Sequence, residues 1–276
     1  MTIRKEIDTI KSAIGSIYDE QEATSIARMV VCNRLNINFS QLVARYDGEC
    51  EIEGIDNLIA ELQNGRPVQY VLGEAEFCDL VFEVCEGVLI PRIETEELVC
   101  RIAQEAKPAS RILDVGTGSG AIAISLAKRI KDSKVVAMDI SCDALAVARR
   151  NAERLDADIC FVEADALGDF TSLGKFDIIV SNPPYIPQQD EASMSVNVVG
   201  YEPHLALFVP DDNALKFYHS IALNSRTMLA EGGKLWFEIY EKYGAEVCAM
   251  LSDVGYSRCG VVKDLHQKDR VVWAML

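Results

Sequence analysis

The chain has 276 residues, long enough for one large domain or two unequal ones, and its 49% hydrophobic and 25% charged side chains are the balance of a globular protein with a sizeable core. Wholesale disorder and a short disulfide-stapled scaffold are excluded. With 27 Lys and Arg against 43 Asp and Glu the formal charge is −16, so attraction to a phosphate backbone or an anionic membrane is not built into the chain as a whole.

The start, Met1-Thr2-Ile3-Arg4-Lys5-Glu6, runs directly into charged amphipathic sequence, and no apolar run approaches the roughly 20 residues needed to span a bilayer. The nine cysteines (32, 50, 78, 85, 100, 142, 160, 248 and 259) form no C-x-x-C pair, and their odd number reads as reduced thiols in a cytoplasmic protein. His204, His219 and His266 lie far apart, so no His-based metal site is expected.

From Glu6 to about Leu62 apolar residues recur at three and four positions (Ile7, Ile10, Ile14, Ile17; Ile26, Met29, Val30; Leu58, Ile59, Leu62), which predicts amphipathic helices. Gly15, Asn36 to Asn38, Asp47-Gly48 and Gly54 cut them into short pieces, and Asn64-Gly65-Arg66-Pro67 ends the segment. Residues 1–75 are therefore expected to form a small helical domain. The next stretch, with Val68 to Leu72, Leu80 to Val84 and Val88 to Ile90, predicts short strands or a hairpin, and residues 76–94 are assigned as a linker. Helical periodicity returns from Thr95 to Ala106.

Strand-like and helix-like segments then alternate through residues 95–276. Strands are predicted at Arg111 to Val115, Lys134 to Asp139, Asp158 to Glu163, Phe176 to Ser181 and Lys234 to Ile239, with two closing strands at Ser257 to Val262 and Val271 to Leu276. Helices are predicted at Ser119 to Ile130, Cys142 to Leu155, Asn213 to Leu229 and Tyr243 to Val254. Apolar strands joined by helices imply a doubly wound, mainly parallel, seven-stranded α/β sheet of Rossmann-like type.

The first of these strands runs into Gly116-Thr117-Gly118-Ser119-Gly120-Ala121 at the start of a helix. In that setting the glycines permit a tight turn, the close approach of a ligand and tight helix packing. Gly116, Gly118 and Ala121 also satisfy the dinucleotide fingerprint, so an NAD enzyme remains open on this loop alone. Asp139, at the end of the second strand, is placed to accept hydrogen bonds from a ribose, which either kind of cofactor contains.

The fourth strand ends in Ser181-Asn182-Pro183-Pro184-Tyr185, beyond the carboxyl edge of the sheet where such folds bind ligands. A hydride-transfer enzyme has no evident use for this motif. It suits capture of a planar nitrogen bearing two hydrogens: the Asn182 side-chain oxygen and the Pro183 carbonyl each accept one N–H, the prolines hold these acceptors in place, and Tyr185 stacks on the planar group. Acceptors that strengthen as charge develops favour the transition state of methyl transfer to such a nitrogen.

Together with Pro67 to Gly73, Val88-Leu89-Ile90-Pro91-Arg92-Ile93-Glu94-Thr95-Glu96, Tyr201-Glu202-Pro203, Lys263-Asp264-Leu265 and Asp269-Arg270, these motifs closely resemble the protein-(glutamine-N5) methyltransferases of the PrmC/HemK family over nearly the whole chain. The resemblance implies a class I S-adenosylmethionine-dependent methyltransferase fold. It implies S-adenosylmethionine held by Gly116, Thr117, Gly118, Ser119, Gly120, Asp139, Asp165, Ala166 and Asn182, with S-adenosylhomocysteine as product. It implies that Asn182, Pro183, Pro184 and Tyr185 receive the glutamine of a Gly-Gly-Gln motif in class I peptide chain release factors, and that the helical domain recognises the substrate. A monomer without metal, stable nucleic acid or membrane partner is expected.

The sequence departs from the family pattern at Ala166, where relatives carry a large aromatic, at Glu238-Ile239-Tyr240-Glu241 and at His266-Gln267; the last two are assigned to the rim. Glu94 and Thr95 fit capping of the following helix as well as a cofactor-side role. Arg92 fits a surface ion pair, and Glu202 fits ordering of its loop. Two other functions stay open on the residues alone: N6-adenine methylation of DNA, which the acidic charge and lack of a basic run disfavour, and a non-catalytic S-adenosylmethionine-binding module.

Overall fold

The computed structural model describes residues 1–276, which divide into two units: 1–74 with 195–201, and 75–194 with 202–276. The segment expected to be a linker from residue 76 onward groups with the second unit, and seven residues from far along the chain group with the first.

In the first unit α1 (Ile3–Ile14) is capped by the Thr2 hydroxyl and buries Ile3, Ile7, Ile10 and Ile14 along one stripe. Asp19 caps α2 (Glu20–Leu35), which ends at Asn36 in the left-handed region. Asn38 and Gln41 form a reciprocal capping box on α3 (Phe39–Ala44), and α4 (Ile55–Gln63) starts after Gly54. Val68–Leu72, predicted as strand, is instead the short helix α5. Pro67 opens it, Gly73 at φ 77° closes it, and Val68 and Val71, three apart, both face the core of this unit. Segment 195–201 is held there by Tyr201, whose hydroxyl donates to the Asn64 carbonyl, and by Asn197 against the Tyr18 hydroxyl.

The second unit opens with a hairpin, β1 (Glu74–Phe77) and β2 (Leu80–Glu83). Val88 to Ile90 forms no strand: the Ile90 amide donates to Glu202 instead of to a neighbouring chain. There follow α6 (Ile93–Glu105), β3 (Arg111–Val115), α7 (Ala121–Arg129), β4 (Lys134–Asp139), α8 (Cys142–Arg154), β5 (Ile159–Glu163) and β6 (Phe176–Ser181). Next come β7 (Ile186–Pro187), α9 (Val196–Tyr201, in the first unit), α10 (His204–Leu207) and β8 (Phe208–Val209). The chain ends with α11 (Lys216–Met228), β9 (Leu229–Glu238), α12 (Gly244–Val254), β10 (Arg258–Lys263) and β11 (Asp269–Met275).

Seven strands form one sheet in the order β10-β11-β9-β6-β3-β4-β5, parallel except for β11, which is the fold expected. Alternation along each strand splits the core: Leu113, Val115, Ile179, Leu235 and Phe237 join one apolar cluster, while Ile112, Ile178, Val180 and Trp236 join the other. Each large side chain buried this way contributes about 1.5–3 kcal/mol. Strand order reverses between β3 and β6, so the crevice of the fold opens beyond their carboxyl ends. No helix is long and apolar enough to cross a membrane.

The expectation of nine reduced thiols is corrected at two positions. Cys248 and Cys259 are joined in a disulfide, because the tight connection between α12 and β10 brings their Cα atoms to 6.0 Å; the other seven are free.

Candidate active site

At the end of β3 the chain turns tightly. The amides of Gly116 and Thr117 both donate to the Met138 carbonyl, at 2.8 and 2.9 Å. Asp114, the buried fourth residue of β3, accepts from the Thr117 hydroxyl at 2.6 Å and from the Ala123 amide at 3.2 Å, tying the loop to α7. Burial pushes its carboxyl up to about 7. Gly116 and Gly118 have φ of 77° and 56°, and a β-carbon at either would point into open space; at Gly120 it would sit 2.9 Å from Ile124 Cδ1. Asp139 accepts from the Gly118 amide at 2.8 Å and from the Ser141 amide at 2.9 Å, one bond to each oxygen, so lone pairs remain for further donors.

At the end of β6 the chain is held by side chains. Asn182 donates through Nδ2 to Thr95 Oγ1 at 3.4 Å, and the Thr95 hydroxyl donates to Glu238 Oε2 at 2.6 Å. Tyr185 donates to Glu238 Oε1 at 3.1 Å and stacks on Tyr240, with ring centroids 6.1 Å apart. Burial and the adjacent Glu238 hold the Tyr185 phenol well above its ordinary pKa, so it stays a donor. Burial raises the Glu238 carboxyl, opposed by its bond from Thr95 and by the charge of Arg270. Asn182 Oδ1 accepts no hydrogen bond from the chain.

These two strand ends border one cavity of about 350 Å³, within the range of small-molecule sites. Gly116, Gly118, Asp139, Asp165, Ala166 and Asn182 line it, as do Pro183 and Pro184. Thr117, Ser119, Gly120 and Tyr185 do not: Thr117 is turned onto Asp114, Ser119 is covered, Gly120 packs on α8, and Tyr185 lies behind the motif on Glu238 and Tyr240.

The wall also includes Phe217 and Ile221 from α11, which no local motif announces, next to the small Ala166. The open face of Gly116 and Gly118, the free lone pairs of Asp139 and this apolar wall fit an adenosine-bearing cofactor such as S-adenosylmethionine: backbone for close approach, a carboxylate for ribose hydroxyls, an apolar surface for a base.

Glu238, assigned from sequence to the rim, is 1% exposed and sits under the Asn182 motif; it is the last residue of a strand whose alternation turns it inward beside Trp236. His266 and Gln267 are exposed. Thr95 does not cap α6. Arg92 occupies the N-cap position without a side-chain bond, and the Thr95 hydroxyl is given to Glu238. Arg92 instead pairs with the buried carboxylate of Glu202 at 2.5 Å, which also accepts from the Ile90 amide at 3.2 Å, so Glu202 orders the loop. Arg270 pairs with Asp264 at 3.1 Å.

Two family models match the chain: a PrmC N-terminal domain over residues 9–73 and a methyltransferase small domain over residues 93–199. A crystal structure of a methyltransferase from Pyrococcus furiosus superposes with a TM-score of 0.53 at 19% identity, covering 79% of this chain and 98% of that one, which shows the shared fold. The release factor glutamine methyltransferase of Bacteroides thetaiotaomicron is 43% identical over 96% of this chain and 97% of its own length. That of Lactococcus lactis subsp. lactis is 42% identical over 96% and 98%. Identity of this extent along the full length, with both family models in order on the chain, means that the chain belongs to the release factor glutamine methyltransferase family.

Proposed function

We propose that this enzyme transfers a methyl group from S-adenosylmethionine to the side-chain amide nitrogen of the glutamine in the Gly-Gly-Gln motif of class I peptide chain release factors. The observation that carries this reading is Asn182, which lines the same cavity as Gly116, Gly118 and Asp139 and whose Oδ1 has no partner in the chain. Bound there, S-adenosylmethionine would supply a methyl group activated on a sulfonium, with S-adenosylhomocysteine as the product.

Asn182 Oδ1 and the Pro183 carbonyl each accept one hydrogen of the incoming carboxamide, which orients the lone pair of its nitrogen and lets both acceptors strengthen as positive charge develops. The proton is lost readily afterwards, so no dedicated base is needed. Tyr185 backs the motif and shields it from water. Asp139 would take the ribose hydroxyls, and the Gly116–Gly118 backbone would let the cofactor lie close. The helical first unit is the part that grips the release factor. The charge of −16 argues against a stable nucleic-acid or anionic-membrane partner, and we take the chain to act as a cytoplasmic monomer.

Incubation with labelled S-adenosylmethionine and either a purified release factor or adenine-containing DNA tests the reading. Label is expected on the protein; label on DNA alone, or on neither, overturns it. Asn182→Ala is expected to lower turnover by about a hundredfold or more while cofactor affinity stays within roughly tenfold, as for loss of a transition-state contact. Unchanged turnover would remove Asn182 from the mechanism.

A further inference from the structure

Asn182 serves the proposed reaction in only one of its two amide orientations. Turned by half a rotation, it would present N–H donors to a nitrogen that itself carries hydrogens, and the two groups would repel. The oxygen and nitrogen ends of an amide are nearly alike in shape, so packing alone does not choose between them. Hydrogen-bond polarity does.

Thr95 Oγ1 stands 3.4 Å from Asn182 Nδ2, and its single proton is committed to Glu238 Oε2 at 2.6 Å. Toward Asn182 the hydroxyl can therefore offer only lone pairs, which match the NH2 end of the amide and reject the oxygen end. Glu238 is the fixed terminus of this series: it is 1% exposed, and its other oxygen is occupied by the Tyr185 hydroxyl at 3.1 Å. Donation thus runs one way, from Asn182 to Thr95 to Glu238. Neither Thr95 nor Glu238 lines the cavity, so Thr95 acts on the reaction through Asn182, and Glu238 acts through Thr95 and Asn182 on one oxygen and through Tyr185 on the other.

We propose that Thr95 and Glu238 are positioning residues that set the polarity of Asn182, keeping its oxygen toward the target nitrogen. This rests on the function proposed above. A pocket without the relay would still bind cofactor and release factor but would hold the acceptor correctly for only part of the time.

The test is steady-state kinetics on a release factor with the full chain, with calorimetric binding of S-adenosylmethionine and thermal unfolding on the same samples. Thr95→Val, which keeps the shape and removes the hydroxyl, is expected to lower kcat roughly tenfold with KM and cofactor affinity within about twofold, whereas Thr95→Ser restores kcat to within about threefold. In an Asn182→Ala background the same Thr95→Val change is expected to cost less than about twofold, because no amide is left to orient. Glu238→Gln, which replaces a carboxyl that accepts at both oxygens by an amide, should reduce kcat in the same sense; it is put through the same cycle and decides the matter if Thr95→Val does not fold. An unchanged kcat in the single variants, or a full tenfold loss repeated without Asn182, overturns the relay. Unchanged turnover in Asn182→Ala by itself overturns instead the reading of the pocket, so the two failures are told apart.

Discussion

Two carboxyl groups are buried at the carboxyl ends of the strands on either side of β6, Asp114 on β3 and Glu238 on β9, and they are satisfied in opposite ways. Asp114 draws its donors from three and nine residues further along the chain, and its Oδ1 has no partner at all. Glu238 draws one donor to each oxygen, from residues 143 and 53 positions away. A carboxyl that braces the loop following its own strand can do so with local partners. One that braces a motif on the neighbouring strand must recruit a helix from elsewhere in the sequence. The local arrangement leaves an acceptor unmet and so costs stability, in return for a rigid glycine loop.

The sharpest way to break that contrast is to titrate it. The native Asp114 carboxyl is pushed up to about 7 by burial, against an ordinary value of 3.8. Between these values the folded state keeps a proton that the unfolded chain has released, so its contribution to stability is full below about pH 4, falls as pH rises, and is gone above about pH 7. Between pH 5 and pH 8 this amounts to about 3 kcal/mol. Denaturant unfolding at the two pH values should show wild type losing that much more than Asp114→Asn. Parallel behaviour would mean that the native carboxyl is already ionised and that its unpaired oxygen is not costly.

A smaller loss is expected at Gly120, where the loop meets the core. An added β-carbon would lie 2.9 Å from Ile124 Cδ1 and 3.2 Å from Ala148 Cβ, on a backbone at φ 84°. Left-handed strain and crowding, partly relieved by the flexible tip of Ile124, together cost about 2 kcal/mol. The Gly120→Ala midpoint in chemical denaturation measures it, and an unshifted midpoint would show that α7 and α8 have slack here.

The same contrast explains what the sequence made legible. The glycine loop, Asp139 and the Asn182 to Tyr185 motif could be read because each is a short word at a strand end, and the sheet because alternating apolar segments set its period. Thr95 and Glu238 cannot be paired from sequence, since nothing local links a helix start to the end of a strand 143 residues later; the assignment of Glu238 to the rim rests on the family pattern alone, whereas the structure buries it at the end of β9. Val68 to Leu72 misled for a related reason. A five-residue apolar run has no resolvable period, and Pro67 and Gly73, as helix start and stop, were the deciding signals. Cys248 and Cys259 had no spacing motif, only a tight connection that brought them together.

The smallest effect separates the two strand ends by function. Gly118 has φ 56° with nothing near its missing β-carbon, so Gly118→Ala should cost only about 1 kcal/mol of stability from left-handed strain, less than Gly120→Ala. The added methyl projects into the open space over the loop proposed to hold the cofactor, and the affinity for S-adenosylmethionine should fall about tenfold, near 1.4 kcal/mol. Titration calorimetry on Gly118→Ala beside Thr95→Val makes the comparison directly, because only the former should weaken cofactor binding. Equal affinities in the two variants would mean that the loop after β3 does not carry the cofactor. A stability loss in Gly118→Ala as large as that of Gly120→Ala would mean that the loop is packed rather than open, and its glycines would then be serving the core and not a ligand.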